Sequence, residues 1–362
     1  MNVLFNLPSV PQYSAMFQMC KSLAGMLDSL TVVTNESDPI RLGETPSNLH
    51  VLELPRSKPR FLSGLLSETG CRKADIIHDT FGYFIPLGAL AKLSSSKKYV
   101  TSVWGSSAGW CRKAVEIGFG DEAEISLNRG LARREQINSM LCDAIMVNSQ
   151  AFVEDYVEYF NFPRSKVFEV PECVTVDPKL GYSGRPDGPF RILYVGHISK
   201  MKGIHLLLEA FQKLVAEGRE ARLTAVGRFV PHDRKIIEAK DWEGVEFVGP
   251  LPQPELAPYF RQADLFVLPS YMEGMPRVVM EALSWGVPVI ASDLPGIRRL
   301  DDSGRLIRIM PDFNASNLKD ILAEEMSRRR KTEQFFLSAR NAMASFSPEN
   351  TANKIFEVYN SL

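Results

Sequence analysis

Nothing in this sequence pairs its cysteines. There are five, Cys20, Cys71, Cys111, Cys142 and Cys173, an odd number scattered along the chain without a C-x-x-C. That excludes a disulfide framework and a zinc site of ordinary spacing. Each is left as a small buried hydrophobe, which suits a reducing compartment. An excess of one charge is missing too: 42 basic and 43 acidic residues give a net charge of −1. No bulk field therefore calls for a nucleic-acid partner. No window reaches about 18 consecutive apolar residues, so no segment is expected to span a bilayer. The start, Met1-Asn2-Val3-Leu4-Phe5-Asn6, lacks the basic n-region of a signal peptide. The expectation is a cytoplasmic protein. Three small basic clusters leave room for a peripheral membrane contact: Lys97-Lys98, Arg133-Arg134 and Arg328-Arg329-Arg330-Lys331. Such clusters are otherwise solvated helix faces.

Several catalytic signatures are also absent. The first strand, residues 3–7, is followed by Pro8-Ser9-Val10-Pro11-Gln12, with no G-x-G-x-x-G. A dinucleotide oxidoreductase fails there, and no Walker loop, nucleophile elbow or zincin helix appears.

What is present is a soluble globular balance, with 45% apolar and 23% charged residues over 362 positions, enough for two domains. Short apolar runs at 3–7, 31–34, 74–78, 99–103 and 144–148 alternate with helical patterns at 15–27 and 125–141, which predicts a parallel sheet built from βαβ units. The stretch 181–189, Gly-Tyr-Ser-Gly-Arg-Pro-Asp-Gly-Pro, can continue neither periodicity and reads as a linker. The pattern then restarts. Strands are predicted at 191–195, 223–226, 245–248, 265–268 and 287–291, with a helix at 203–215 and a closing helix at 352–362. Two doubly wound α/β domains result, 1–180 joined by 346–362, and 189–345.

Ligands of such sheets bind beyond the carboxyl ends of the strands. In the second half three loops stand there. Gly196-His197-Ile198-Ser199-Lys200-Met201-Lys202-Gly203 leads into a helix, whose N-terminal amides with Lys202 suit a diphosphate. A plain βα loop with a surface lysine is the alternative. Pro269-Ser270-Tyr271-Met272-Glu273-Gly274-Met275-Pro276 follows a strand; Pro276 suits the first turn of a helix that Gly286 stops. Glu273 lies at the loop mouth and Glu281 inside the helix. Carboxylates accept hydrogen bonds from sugar hydroxyls, although an acidic first turn with an ordinary surface Glu281 is the other reading. Ser292-Asp293-Leu294-Pro295-Gly296 forms the third loop, a candidate wall of a cleft.

From about 191 to 300 these motifs resemble family 4 of the glycosyltransferases, which have the GT-B fold. The resemblance runs through the G-x-x-x-x-x-K-G loop, Val245–Gly249, the strand 263–270, the E-x7-E element from Glu273 to Glu281, and Gly286-Val287-Pro288-Val289-Ile290-Ala291-Ser292-Asp293. Ala74-Asp75-Ile76-Ile77-His78, Cys142–Ser149 and the last helix are similar in looser ways. The resemblance implies two Rossmann-like domains facing a cleft, with the C-terminal helix crossing back to the first. It implies a hexosyltransferase that retains anomeric configuration, acts without a bound metal or cofactor, and uses a nucleotide diphosphate sugar as co-substrate. The acceptor would be a polysaccharide, a lipid-linked glycan or a small molecule. Gly196, His197, Lys202, Val248, Gly249, Leu251, Glu273, Gly274, Met275, Pro276 and Glu281 would bind the donor. Lys202 would meet its diphosphate, Glu281 its ribose, Glu273 its sugar, and residues 247–251 would border the base. Glu273, Lys202 and His78 are the catalytic candidates, a core role being open for His78. The sequence departs from the family in having His197 where arginine is usual, in Trp104, and in lacking a Gly-Gly loop after the first strand. Those departures keep a second reading in view, a nucleotide-sugar-binding partner subunit with little catalysis. A sugar-nucleotide epimerase is a third.

Overall fold

The computed structural model describes residues 1–7, 14–35, 44–54, 73–80, 97–120, 122–182, 184, 187–301 and 303–362. The loop after the first strand, Cys71, and Ser183, Arg185 and Pro186 of the expected linker lie outside the described residues.

Two compact units divide the chain. The first comprises Met1–Arg112, Glu124–Cys173 and Phe346–Leu362; the second comprises Lys113–Ala123 and Val174–Ser345. The division falls at Cys173, ahead of the glycine- and proline-rich stretch expected to be the linker. It also assigns 113–123 to the second unit. There the Lys200 ammonium donates to Ile117 O at 2.8 Å and Gly118 O at 3.2 Å, while Phe119 meets His232 edge-on.

The first unit is built on a parallel sheet of seven strands in the order β3-β2-β1-β4-β5-β6-β7. These are Asn2–Asn6, Ser29–Thr34, Leu49–Glu53, Ile76–Thr80, Lys98–Val103, Ala144–Val147 and Val167–Glu169 for β1 to β7. β4 and β6 are buried along their whole length, as strands covered on both faces must be. The helix Ser14–Ala24 places Phe17, Met19 and Leu23 against this sheet, where Ile355, Val358 and Tyr359 of the last helix join the same core. That last helix, Pro348–Asn360, starts where Ser347 accepts from Asn350 N and Pro348 fills the first turn. It therefore returns the C-terminus to the first unit, as expected.

The second unit carries six parallel strands in the order β10-β9-β8-β11-β12-β13. Phe190–Val195, Ala221–Val226, Val245–Gly249, Leu265–Leu268, Val289–Ser292 and Ile307–Met310 are β8 to β13. Its first helix, Ile204–Ala216, buries Leu207, Ala210, Phe211 and Leu214 at helical spacing. The strand expected from 287 begins at Val289, because Pro288 has no N–H for the ladder and contributes only its carbonyl, to Phe266 N at 2.8 Å.

Of the cysteines, Cys20, Cys142 and Cys173 are buried and Cys111 is half-buried, and none of these four forms a disulfide. Burial pushes the Cys20 thiol far up, so it behaves as a core hydrophobe.

Candidate nucleotide-sugar site

The strand order of the second sheet reverses between β8 and β11, since β9 and β10 lie to one side of β8 and β11 to β13 to the other. That is the point where a parallel sheet leaves a crevice beyond its carboxyl edge. The loops leaving β8 and β11 are those carrying Lys202 and Glu273, and the structure brings the two side chains together. Lys202 Nζ lies 2.7 Å from Glu273 Oε1. Ser270 Oγ donates to the same oxygen at 2.8 Å. The loops are also tied through the backbone, Tyr271 N donating to Met201 O at 3.0 Å.

This closeness depends on glycine. Gly203 has φ +70°, and a Cβ there would stand 1.9 Å from Pro269 O, so no other residue fits between the two loops. The third loop joins in the same way: a Cβ on Gly296 would lie 1.4 Å from Gly274 O. Gly274 and Gly296 thus press their backbones together, and Met275 is buried behind them. Asp293 of this third loop pairs with Arg298, whose Nη2 lies 2.6 Å from Asp293 Oδ2.

Lys202 stands in a short turn, Lys200–Lys202, capped by Ser199, whose Oγ accepts from Lys202 N at 3.3 Å. Lys200 opens that turn. It is engaged elsewhere: besides its ammonium contacts with Ile117 and Gly118, its amide donates to Asp233 at 2.6 Å. His197 reaches solvent, while its carbonyl accepts from the buried Tyr194 hydroxyl at 2.6 Å. Desolvation by the surrounding protein, then Lys202 and Arg228, lower the imidazole pKa against the opposing pull of Glu273. His197 is therefore neutral at pH 7.

The helix after Glu273 is Arg277–Ser284, and Pro276 is its N-cap rather than its first residue, with Val279 N donating to Pro276 O. Gly286, at φ +67°, stops it as expected. Glu281 lies one turn from the end of this helix. Its surroundings raise its carboxyl to about 7, with desolvation the main cause, opposed by Arg277 and by a hydrogen bond with Gln253. A rim of Glu281 still reaches solvent. Gln253 opens the turn Gln253–Leu256, two residues beyond Leu251. So Glu281 stands beside the loop that leaves β10, the loop expected to border a base. Val248 and Gly249 close β10, and Gly249 O accepts from Gly227 N at 2.9 Å. Neither Gln253 nor Arg277 was singled out from sequence, because nothing local marks a glutamine or an arginine that acts across a sheet edge. The same holds for a stack of His205, Tyr271 and Phe313, in which the Tyr271 and Phe313 rings lie 4.1 Å apart.

His78 belongs elsewhere, in the first unit. It is fully buried, with Nδ1 2.5 Å from the Tyr359 hydroxyl, Nε2 2.7 Å from Ser102 Oγ, and its ring against Phe5. Desolvation lowers its pKa to about 3. Both ring nitrogens are thus engaged within the first unit, an arrangement that suits the core role left open for it. It fastens the returning helix to the sheet.

Residues 189–326 match the family model described as Glycosyl transferases group 1. The putative colanic acid biosynthesis glycosyltransferase WcaL of Salmonella typhimurium is 32% identical over 148 residues, 38% of this chain and 36% of that protein. A D-inositol 3-phosphate glycosyltransferase of Thermobispora bispora is 24% identical over 330 residues, 85% of this chain and 76% of the relative. This chain therefore spans only about a third of the first relative's length. Among solved structures, sucrose-phosphate synthase from Thermosynechococcus elongatus superposes with TM-score 0.76 at 19% identity, covering 100% of this chain and 99% of that one. Anabaena Alr3699/HepE, in complex with UDP and glucose, superposes with TM-score 0.72 at 15% identity and full coverage of both chains. Two parallel-sheet Rossmann-like units and these superpositions make the fold GT-B, and the likeness to glycosyl transferases group 1 falls on residues 189–326 of its second unit.

Proposed function

We propose that this chain transfers a hexose from a nucleotide diphosphate sugar to a glycan or lipid-linked acceptor, with retention of anomeric configuration. The observation that carries the proposal is the meeting of Lys202 and Glu273 at the switch point of the second sheet. An ammonium beside a carboxylate, next to the N-terminus of Arg277–Ser284, is what a sugar joined to a pyrophosphate requires. The cation and the helix amides stabilise charge developing on the leaving phosphate. The carboxylate and the backbone at Gly274 and Met275 hold the sugar hydroxyls. Glu281, beside Gln253, takes the vicinal ribose hydroxyls. Val248, Gly249 and Leu251 border the base. HepE was solved with UDP-glucose, which supports a nucleotide sugar as donor here. Relatives named for colanic acid and amylovoran biosynthesis support a polysaccharide as acceptor.

The neutral His197 favours a second reading, a donor-binding subunit with little turnover, because one cation fewer faces the leaving phosphate. A panel of nucleotide sugars separates the readings. A cognate donor raises the melting temperature with its occupancy, and the same donor is then followed for transfer or slow hydrolysis. Stabilisation together with turnover, lost in Glu273→Gln, supports the enzyme. Stabilisation without turnover across glycan and lipid acceptors supports the subunit. No stabilisation by any nucleotide sugar would sink both.

A further inference from the structure

Glu273 stands in a stretch, residues 269–276, that forms neither helix nor strand. No ladder or helical turn fixes the direction of its side chain. The glycine contacts at 203 and 296 let this loop approach its neighbours, but room to approach does not hold a loop in place. Something with contact area must do so, and Tyr271 has it.

The Tyr271 ring stacks on two others. Its centroid is 5.9 Å from that of His205, with 4° between the planes, and 4.1 Å from that of Phe313, with 12° between the planes. Near-parallel rings at such spacing attract beyond the area they bury. The Tyr271 hydroxyl is 3.4 Å from His205 Nε2, the long limit of a hydrogen bond, so the ring rather than the hydroxyl makes the contact. Desolvation, then Lys200, lower the His205 imidazole to about 4, which leaves it a neutral ring at pH 7.

The three rings come from three elements. His205 is in the first turn of Ile204–Ala216, directly after Gly203 of the Lys202 loop. Phe313 precedes Asn314, the N-cap of the helix Ala315–Arg328. That helix is tied to Ile204–Ala216 by Lys213 Nζ, which donates to Ser316 Oγ at 2.7 Å. Tyr271 is therefore braced by two helices that already hold each other. Its own amide donates to Met201 O at 3.0 Å, and the residue before it, Ser270, is fully buried and donates from Oγ to Glu273 Oε1 at 2.8 Å.

We infer that Tyr271 is a positioning residue for Glu273: stacked on His205 and Phe313, it holds the loop of the carboxylate against the loop of Lys202. The inference rests on the reading of Glu273 as the group that holds the transferred sugar. A carboxylate aimed in advance by packed neighbours loses less freedom when it takes up sugar hydroxyls.

The test reads the sugar's share of donor binding, as the ratio of affinities for a nucleotide sugar and for its nucleoside diphosphate. UDP-glucose and UDP are the first probes, replaced by another donor and its diphosphate if that donor raises the melting temperature more. In titration calorimetry Tyr271→Ala should bind the nucleotide sugar about tenfold more weakly, the low end for a charge-assisted hydrogen bond, without losing affinity for the diphosphate. Tyr271→Phe keeps the ring and should keep the wild-type ratio. In a Glu273→Gln background Tyr271→Ala should cost nothing further. A residue that only stabilised the fold would lower the melting temperature and leave the ratio alone. Should Tyr271→Ala misfold, Phe313→Ala, at a side chain 40% exposed, removes one side of the stack and should move the ratio the same way by a smaller factor. An unchanged ratio in the folded variant, or a loss that adds to that of Glu273→Gln, would overturn the inference and leave the proposed function standing. A wild-type ratio in Glu273→Gln itself would remove the reading of Glu273 and the inference with it, as would a lack of binding by every nucleotide sugar.

Discussion

Lys202 is held by Glu273, so under the proposed function a nucleoside diphosphate must take the ammonium away from a carboxylate before binding it. The two side chains are 27% and 12% exposed, and their contact is 2.7 Å. A pair still reached by solvent is worth about 1 kcal/mol or less. Glu273→Gln removes that competitor and a negative charge near the phosphates, so affinity for a nucleoside diphosphate lacking the sugar should rise by up to about fivefold. Lys202→Met should do the reverse. Losing one charge-assisted hydrogen bond costs about 1.5–3 kcal/mol, or roughly 10- to 150-fold in affinity. The double variant should bind only slightly more tightly than Lys202→Met alone, since most of the Glu273 penalty acts through the lysine. Titration calorimetry at neutral pH, with melting temperatures as the folding control, measures all four proteins. If Glu273→Gln binds no more tightly than wild type, or the two substitutions simply add, the ion pair is not a competitor for the phosphate.

Glu281 and His78 make opposite pH predictions. The Glu281 carboxyl is raised from 4.5 to about 7, and only its charged form offers two acceptors to a pair of ribose hydroxyls. Nucleotide affinity should therefore climb as pH rises from 6 to 8 and lose that dependence in Glu281→Gln; parallel profiles in calorimetry would remove Glu281 from the ribose. For His78 the folded pKa lies near 3, below the unfolded value of 6.5. Protons then favour the unfolded chain as pH falls below 6.5. Between pH 7.5 and 5 that linkage costs wild type roughly 2 kcal/mol, which His78→Gln does not suffer. Urea unfolding at the two pH values should show the gap between wild type and variant narrowing by about that amount at pH 5, with nucleotide affinity at pH 7.5 unaltered. A constant gap, or lost affinity, would contradict a core role.

Most of the second sheet was legible because its strands are continuous apolar runs closed by proline or glycine, as at Leu265–Leu268 before Pro269. The strands that escaped notice are the short or edge ones. Leu49–Glu53 leaves His50 and Glu53 exposed. Val167–Glu169 has only three residues and one fully buried side chain. Ile307–Met310 is an edge strand interrupted by Arg308, whose Nη2 reaches Glu324 at 3.2 Å. Partial burial weakens the alternation that a sequence pattern relies on. Likewise the basic run at 328–331 reads as a solvated face in one dimension. Only the fold shows that the Lys331 ammonium, with desolvation pulling its pKa down to about 8, donates to two backbone carbonyls, Arg261 O and Ala263 O.

In the site itself, the side chains could be read from sequence, but the reason they meet could not. Lys202 and Glu273 are 71 positions apart, and their motifs say only that each follows a strand. What brings them within reach is a pair of contacts that no side chain reports. Gly203 lies under the Pro269 carbonyl, and Gly296 lies against the Gly274 carbonyl. An added methyl group would sit well inside a normal contact distance at both places, so the loops would have to part by more than an ångström. Hydrogen bonds of 2.7–2.8 Å at Glu273 do not survive such a displacement. The meeting of Lys202 and Glu273 therefore depends as much on what these two glycines lack as on the charges themselves. In the sequence the two glycines look no different from turn residues such as Gly218 and Gly304, where a Cβ would meet open space.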